Sequence, residues 1–135
     1  MKKFLRRYPF TLLCLALMMV LSFFSPPHTP LDKVAMIDKW THLVMYGGTM
    51  AVFCIEYYRR MGTAVSRPYS LKVQALIAAV LVALGGVVEL LQAYCTGGRR
   101  SGEILDWVAD TLGVLLGWFL GLTLCKWCVR KIWKK

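Results

Sequence analysis

Charged residues are scarce in this chain. They make up 18% of its 135 residues, against about 25% in a typical soluble domain. Acids are the rarer sign, with seven Asp and Glu in all, and there are only two histidines. So few charges, set beside an apolar content of 58%, exclude a soluble basic nucleic-acid binder as the first reading, despite a net charge of +10. The same apolar content excludes a disordered basic tail. The five cysteines (Cys14, Cys54, Cys95, Cys125 and Cys128) are odd in number and scattered, so they make no disulfide framework. Cys125 and Cys128 form a single CxxC with no second pair, short of the roughly four ligands a structural zinc needs. They read as packing residues at a helix end. There are no internal repeats or low-complexity stretches, and the length allows one domain, residues 1–135.

Long apolar segments fill the chain, and mean hydropathy is +0.55. Four stand out: roughly 8–25, 39–58, 72–94 and 104–129. They are ended in turn by Pro26-Pro27, by Arg59-Arg60, by Gly97-Gly98-Arg99-Arg100 and by a basic tail. A membrane-spanning helix needs about 20 mostly apolar residues, and a helix satisfies its own backbone hydrogen bonds in lipid. The runs are continuous rather than alternating, which excludes a β-barrel. The basic N-terminus before the first run fits a secretory signal, but the run ends in SFFSPP with no A-x-A-like cleavage site. We therefore expect an all-α membrane protein, a compact bundle of four transmembrane helices with the first one retained.

Lysine and arginine orient the bundle. If all four segments span, 13 of the 17 basic residues fall on one side: the N-terminus, the loop between segments two and three, and the tail. Both termini are then cytoplasmic, and Lys33, Lys39, Arg99 and Arg100 are external. The expected location is a bacterial cytoplasmic membrane. Gly113, Gly117 and Gly121 recur every four residues on segment four, a small-residue face for a packing partner or a homo-oligomer. Ala75, Ala79 and Ala83 form a similar face on segment three. Trp107, Trp118, Trp127 and Trp133 read as interface anchors.

The uncharged cores of segments two to four are short. They run 16 residues from Lys39 to Glu56, 16 from Lys72 to Glu89 and 15 from Asp110 to Lys126. That reaches only about 23–24 Å, against about 30 Å of hydrocarbon. Each helix therefore carries polar groups into one layer near the external surface. The layer holds Asp38, Lys39 and His42 on segment two, Glu89 and Gln92 on segment three, and Asp106 and Asp110 on segment four. Arg99 and Arg100 lie in the loop just above. Asp38/His42, Glu89/Gln92 and Asp106/Asp110 each share a helix face. An ionised side chain inside a membrane costs about 2.5–3.5 kcal/mol even on the lenient scale, so these groups should face inward and mark function. Asp32, Lys33, Glu56 and Glu103 read instead as solvated or interface charges.

The ordered set Asp38-Lys39-x-x-His42-x-x-x-Tyr46-Gly47, Glu89-Leu-Leu-Gln92, then Arg100 with Asp106 and Asp110-Thr-Leu-Gly113 resembles the VanZ-like family of small bacterial membrane proteins. The resemblance covers about residues 32–122. One departure stands out: the family commonly has Asn where this chain has Asp110. The resemblance implies a link to low-level resistance to the glycopeptide teicoplanin, without supplying a reaction.

The first expectation is thus a protein that acts on, or shields, an envelope component at the outer leaflet. Its partner would be a membrane lipid or a lipid-linked envelope precursor. If it is an enzyme, the chemistry is acid/base work on a lipid-linked phosphate or glycan. His42, tuned by Asp38, is the base, Glu89 the acid, and Arg100 the anion receptor, with Gln92, Asp106 and Asp110 completing the site. No Ser or Cys lies close to a base in sequence, so covalent catalysis has little support. One His without a ligand-spaced pair makes a poor zinc set, so no metal or cofactor is expected. The alternatives are a non-catalytic binding or assembly module, in which the cluster fixes helix order, and a small proton-coupled transporter. The latter suits the charge placement less well, because transport sites usually lie at the midplane.

Overall fold

The computed structural model describes residues 2–23, 37–61, 70–95 and 104–132. All but Tyr8 and Ser70 are helical, with no strand among them. The helices are α1 (Lys2–Arg7), α2 (Pro9–Phe23), α3 (Ile37–Met61), α4 (Leu71–Cys95) and α5 (Ile104–Ile132). The break between α1 and α2 follows from Pro9. Proline pushes Tyr8 out of helical backbone, and its missing N–H costs nothing at a first helical position. Tyr8 then accepts the opening bond of α2 from the Leu12 N–H at 3.0 Å.

Side-chain contacts give the directions. Glu56 of α3 meets Phe10 and Thr11 at the start of α2, so α2 and α3 run antiparallel. Trp107 and Trp118 of α5 meet Val82 and Gln74 of α4 in reverse order, so α4 and α5 are antiparallel. Between α3 and α5, Gly113 faces Leu43, Gly117 faces Gly47, and Gly121 faces Ala51 and Cys54. That constant offset of about 70 residues makes α3 and α5 parallel. Along the chain, neighbouring helices from α2 to α5 thus alternate in direction.

The α3–α5 seam is the tightest in the fold, and it depends on glycine. A Cβ at Gly117 would overlap the Gly47 carbonyl, and one at Gly113 would overlap the Leu43 carbonyl. The face expected to receive a partner or a second copy is thus filled by α3 of the same chain. The alanine face of segment three is not used within the bundle. Ala75, Ala79 and Ala83 point outward, whereas Ala78, Leu81, Gly85 and Val88 point inward.

The burial pattern is inverted relative to a soluble domain. Leu13, Leu17, Val20, Leu76, Val80, Leu116, Phe119 and Leu120 are exposed, while Thr11, His42, Glu56, Gln74, Glu89, Gln92, Asp106 and Asp110 are buried. Thr49, Thr111 and Thr123 each return their hydroxyl to the carbonyl four residues back, which spares them a need for water. Among the described residues, two helices are long and apolar enough to cross a membrane: Leu71–Tyr94 and Ile104–Cys125. α3 is the hub, packed on α2, α4 and α5. Its 25 residues include Asp38, Lys39, Glu56, Arg59 and Arg60, and a helix enclosed by protein need not be apolar on every side. α2, at 15 residues, is apolar but short.

Glu56 corrects the expectation of a solvated interface charge. It is 9% exposed, and its carboxylate accepts the Phe10 N–H at 3.1 Å, the Thr11 N–H at 2.9 Å and the Thr11 hydroxyl at 2.5 Å. These are donors at the positive N-terminus of α2, which otherwise lack partners. Glu56 is therefore the docking point of α2 on α3.

Candidate functional site

The polar residues of α3, α4 and α5 meet near the opposite end of the bundle from Glu56. His42 lies 14 residues, about 21 Å along the helix, before Glu56 on α3. It is 3% exposed, and the two acids it faces, Asp110 of α5 and Glu89 of α4, are 0% and 7% exposed. His42 Nδ1 lies 2.8 Å from Asp110 Oδ1, a direct hydrogen bond, and 3.8 Å from Glu89 Oε1. With Asp110 ionised, Nδ1–H is the donor. One ligand-capable atom from each of the three residues lies within 4.8 Å of the others. Three helices thus place an imidazole and two carboxylates around one point.

The local sequence explains how they converge. Gly113 and Gly117 let α5 sink against α3, which brings Asp110, one turn before Gly113, beside His42. Gly85 does the same on α4: a Cβ there would lie 2.8 Å from Asp110 Oδ2. Gly86 receives the Trp107 ring edge-on, with a Cβ 3.4 Å from Nε1, and Trp107 Nε1 donates to the Val82 carbonyl at 2.9 Å. Sequence reasoning missed the Gly85-Gly86 pair. A glycine inside a helix costs about 1 kcal/mol relative to alanine, so two in succession were a signal of close approach.

The remaining expected site residues divide. Asp106 is buried and lies 3.6 Å from Lys39, a cross-helix ion pair at the rim. Gln92 is turned toward α2, where Nε2 donates to the Ser22 carbonyl at 2.6 Å. That bond ties the end of α2 to α4. Arg100, like Arg99, lies outside the described residues, and so does the side chain of Asp38. Asp110, which sequence spacing paired with Asp106, instead supplies the partner that Asp38 was expected to give His42.

Tyr46 belongs to the site as well. Its ring is parallel to that of His42, with centroids 6.5 Å apart, one turn deeper on α3. It is fully buried, its hydroxyl has no hydrogen-bond partner among the described residues, and it lies within electrostatic reach of Asp110 and Glu89. Asp110 Oδ2 is likewise buried without a described partner. Beside this group, Lys39, Trp40, Leu43, Leu105, Val108, Ala109 and Leu112 line an apolar groove of about 230 Å³ between α3 and α5. A larger groove of about 670 Å³ lies at the far end between α2 and α3, where Glu56 is already engaged as the cap of α2. The smaller groove is the one next to the chemistry, because Lys39 belongs both to it and to the polar layer.

No family model, curated protein or solved structure matches the chain.

Proposed function

We propose that this is a VanZ-like integral membrane protein of the bacterial cytoplasmic membrane, with α2 to α5 crossing the bilayer and both termini cytoplasmic. The inverted burial supports the membrane reading. Only 33% of the α4 span and 39% of the α5 span is buried, and neither is N-terminal, so a soluble core helix or a signal sequence accounts poorly for them. Four crossings are supported by α2, which contacts Glu56 at one end through Thr11 and Gln92 at the other through Ser22. It thus extends between the same two polar layers as its neighbours.

The protein acts at the outer leaflet on a cell-envelope component, with His42, Glu89 and Asp110 as the working group. The observation that carries this reading is the buried His42–Asp110 bond with Glu89 at 3.8 Å, held by three separate helices. Asp110 fixes the ring through Nδ1, which assigns proton exchange to Nε2, and Glu89 is the second acid/base group. Lys39 at the mouth of the apolar groove suits the phosphate of a lipid-linked precursor, with the acyl chain along Leu43, Leu105 and Leu112. The reaction class is hydrolysis or transfer at that phosphate or its glycan. The resemblance links this to teicoplanin resistance.

A second reading has its own support. The Lys39–Asp106 pair and the Gln92–Ser22 bond join helices without needing a substrate, as a non-catalytic assembly module would. One experiment separates the two: teicoplanin susceptibility and lipid-precursor profile of cells carrying wild type, Glu89→Gln or empty vector. The envelope reading expects wild type alone to change both. Identical profiles in all three would remove it.

A further inference from the structure

We propose that His42, Glu89 and Asp110 form a binding site for one divalent transition-metal ion of the zinc class. Three protein ligands with one imidazole is the donor count of an open, catalytic-type zinc site, as distinct from a closed structural one. Sequence spacing hid the set, because the three residues come from three helices and no two are ligand-spaced in the chain.

Two observations point to an ion at this place. The first is geometric. The donor atoms lie within 4.8 Å of one another, and a tetrahedral ion at about 2.0–2.2 Å from each sets its ligands about 3.3–3.6 Å apart, an adjustment of at most about 1.5 Å. The second is the pair of buried polar atoms that have no hydrogen-bond partner among the described residues, Asp110 Oδ2 and the Tyr46 hydroxyl. Both belong to fully buried side chains, and the Tyr46 ring lies parallel to that of His42, 6.5 Å between centroids. A buried polar atom left unpaired costs about 1–3 kcal/mol. An ion and the water it carries would satisfy both.

Binding proceeds by exchange at Nδ1. The ring presents the Nδ1 lone pair to the ion, and Asp110 Oδ1 changes from hydrogen-bond acceptor to ligand. A neutral ring does this by moving its proton to Nε2 through solvent with no net release, and a protonated ring releases one proton for each ion bound. The chemistry such an ion supplies is polarisation of a phosphoryl or carbonyl oxygen. The inference uses the residues of the proposed site, but it does not depend on the envelope reading.

The test uses the full chain purified in detergent, stripped with chelator and titrated with Co²⁺, whose visible absorption reports inner-sphere nitrogen and oxygen ligands. One equivalent per chain is expected, displaced by Zn²⁺. Glu89→Gln and Asp110→Asn should each weaken binding at least about tenfold, while Glu56→Gln, which alters the buried carboxylate at the other end, leaves it unchanged. Thermal unfolding checks each variant. If Asp110→Asn does not fold, the near-isosteric Glu89→Gln and Tyr46→Phe carry the test, the latter with reduced affinity expected. Wild type taking up no more Co²⁺ than Glu89→Gln, or Glu56→Gln abolishing uptake, would overturn the site. Uptake without a teicoplanin or lipid phenotype would keep the ion and sink the envelope reading, and the converse result would do the reverse.

Discussion

Two adjacent glycines on α3 should respond to the same substitution with opposite signs. Gly47 faces α5, and a Cβ there would lie 2.8 Å from the Gly113 carbonyl oxygen, 3.4 Å from its carbon and 3.5 Å from its Cα. Ordinary carbon–oxygen contacts between close helices are about 3.3–3.6 Å, so the new methyl intrudes by about half an ångström on backbone that has no rotamer to change. Overpacking of this kind costs about 1–3 kcal/mol, offset in part by the about 0.5–1 kcal/mol that alanine gains over glycine inside a helix. Gly48 has nothing within 4 Å of the same position, so Gly48→Ala keeps the gain and pays no packing cost. The two variants should therefore differ by about 1–3 kcal/mol, with Gly47→Ala below wild type and Gly48→Ala at or above it. Reversible SDS unfolding in mixed micelles, followed by far-UV circular dichroism, measures the difference. Equal stability of the two, or a more stable Gly47→Ala, would refute the parallel α3–α5 seam and with it the meeting of His42 and Asp110.

Two further outcomes test the contacts that hold α2. Glu56→Ala removes the acceptor for three donors at the start of α2, and hydrogen bonds to a charged group are worth about 1.5–3 kcal/mol, so amide exchange in Phe10–Leu13 should accelerate well before that in α5. Gln92→Leu removes the bond to the Ser22 carbonyl at the other end, and should cost about 1–2 kcal/mol in the same unfolding assay, with faster exchange confined to α2 and the end of α4.

The segments and their polar ends were legible because apolar run length and charge position are local properties. The second, third and fourth segments match α3, α4 and α5 to within about three residues. The gathering of His42, Glu89, Asp106 and Asp110 at one end followed from counting 1.5 Å rises along each run. Partner identity was not legible. Asp38 lies one turn from His42 in sequence, yet the described partner is Asp110, 68 residues away, and that pairing depends on the α3–α5 register set by Gly47, Gly113 and Gly117. Glu56 looked like a surface charge because the donors it serves belong to α2. Trp118 looked like an interface anchor, yet its Nε1 donates to Gln74 Oε1 at 2.7 Å between α5 and α4. In each case the deciding contact is tertiary, and it joins residues whose own neighbourhoods carry no trace of it.

The central claim is that His42, Glu89 and Asp110 act as a site and do not merely hold three helices together. The most direct measurement is teicoplanin susceptibility of cells carrying wild type, Glu89→Gln, His42→Ala and Asp110→Asn, read at matched amounts of folded protein in the membrane. All three variants are expected to lose the wild-type effect while folded protein stays constant. Protection that survives in every variant, or that falls only in step with the amount of folded protein, would contradict it.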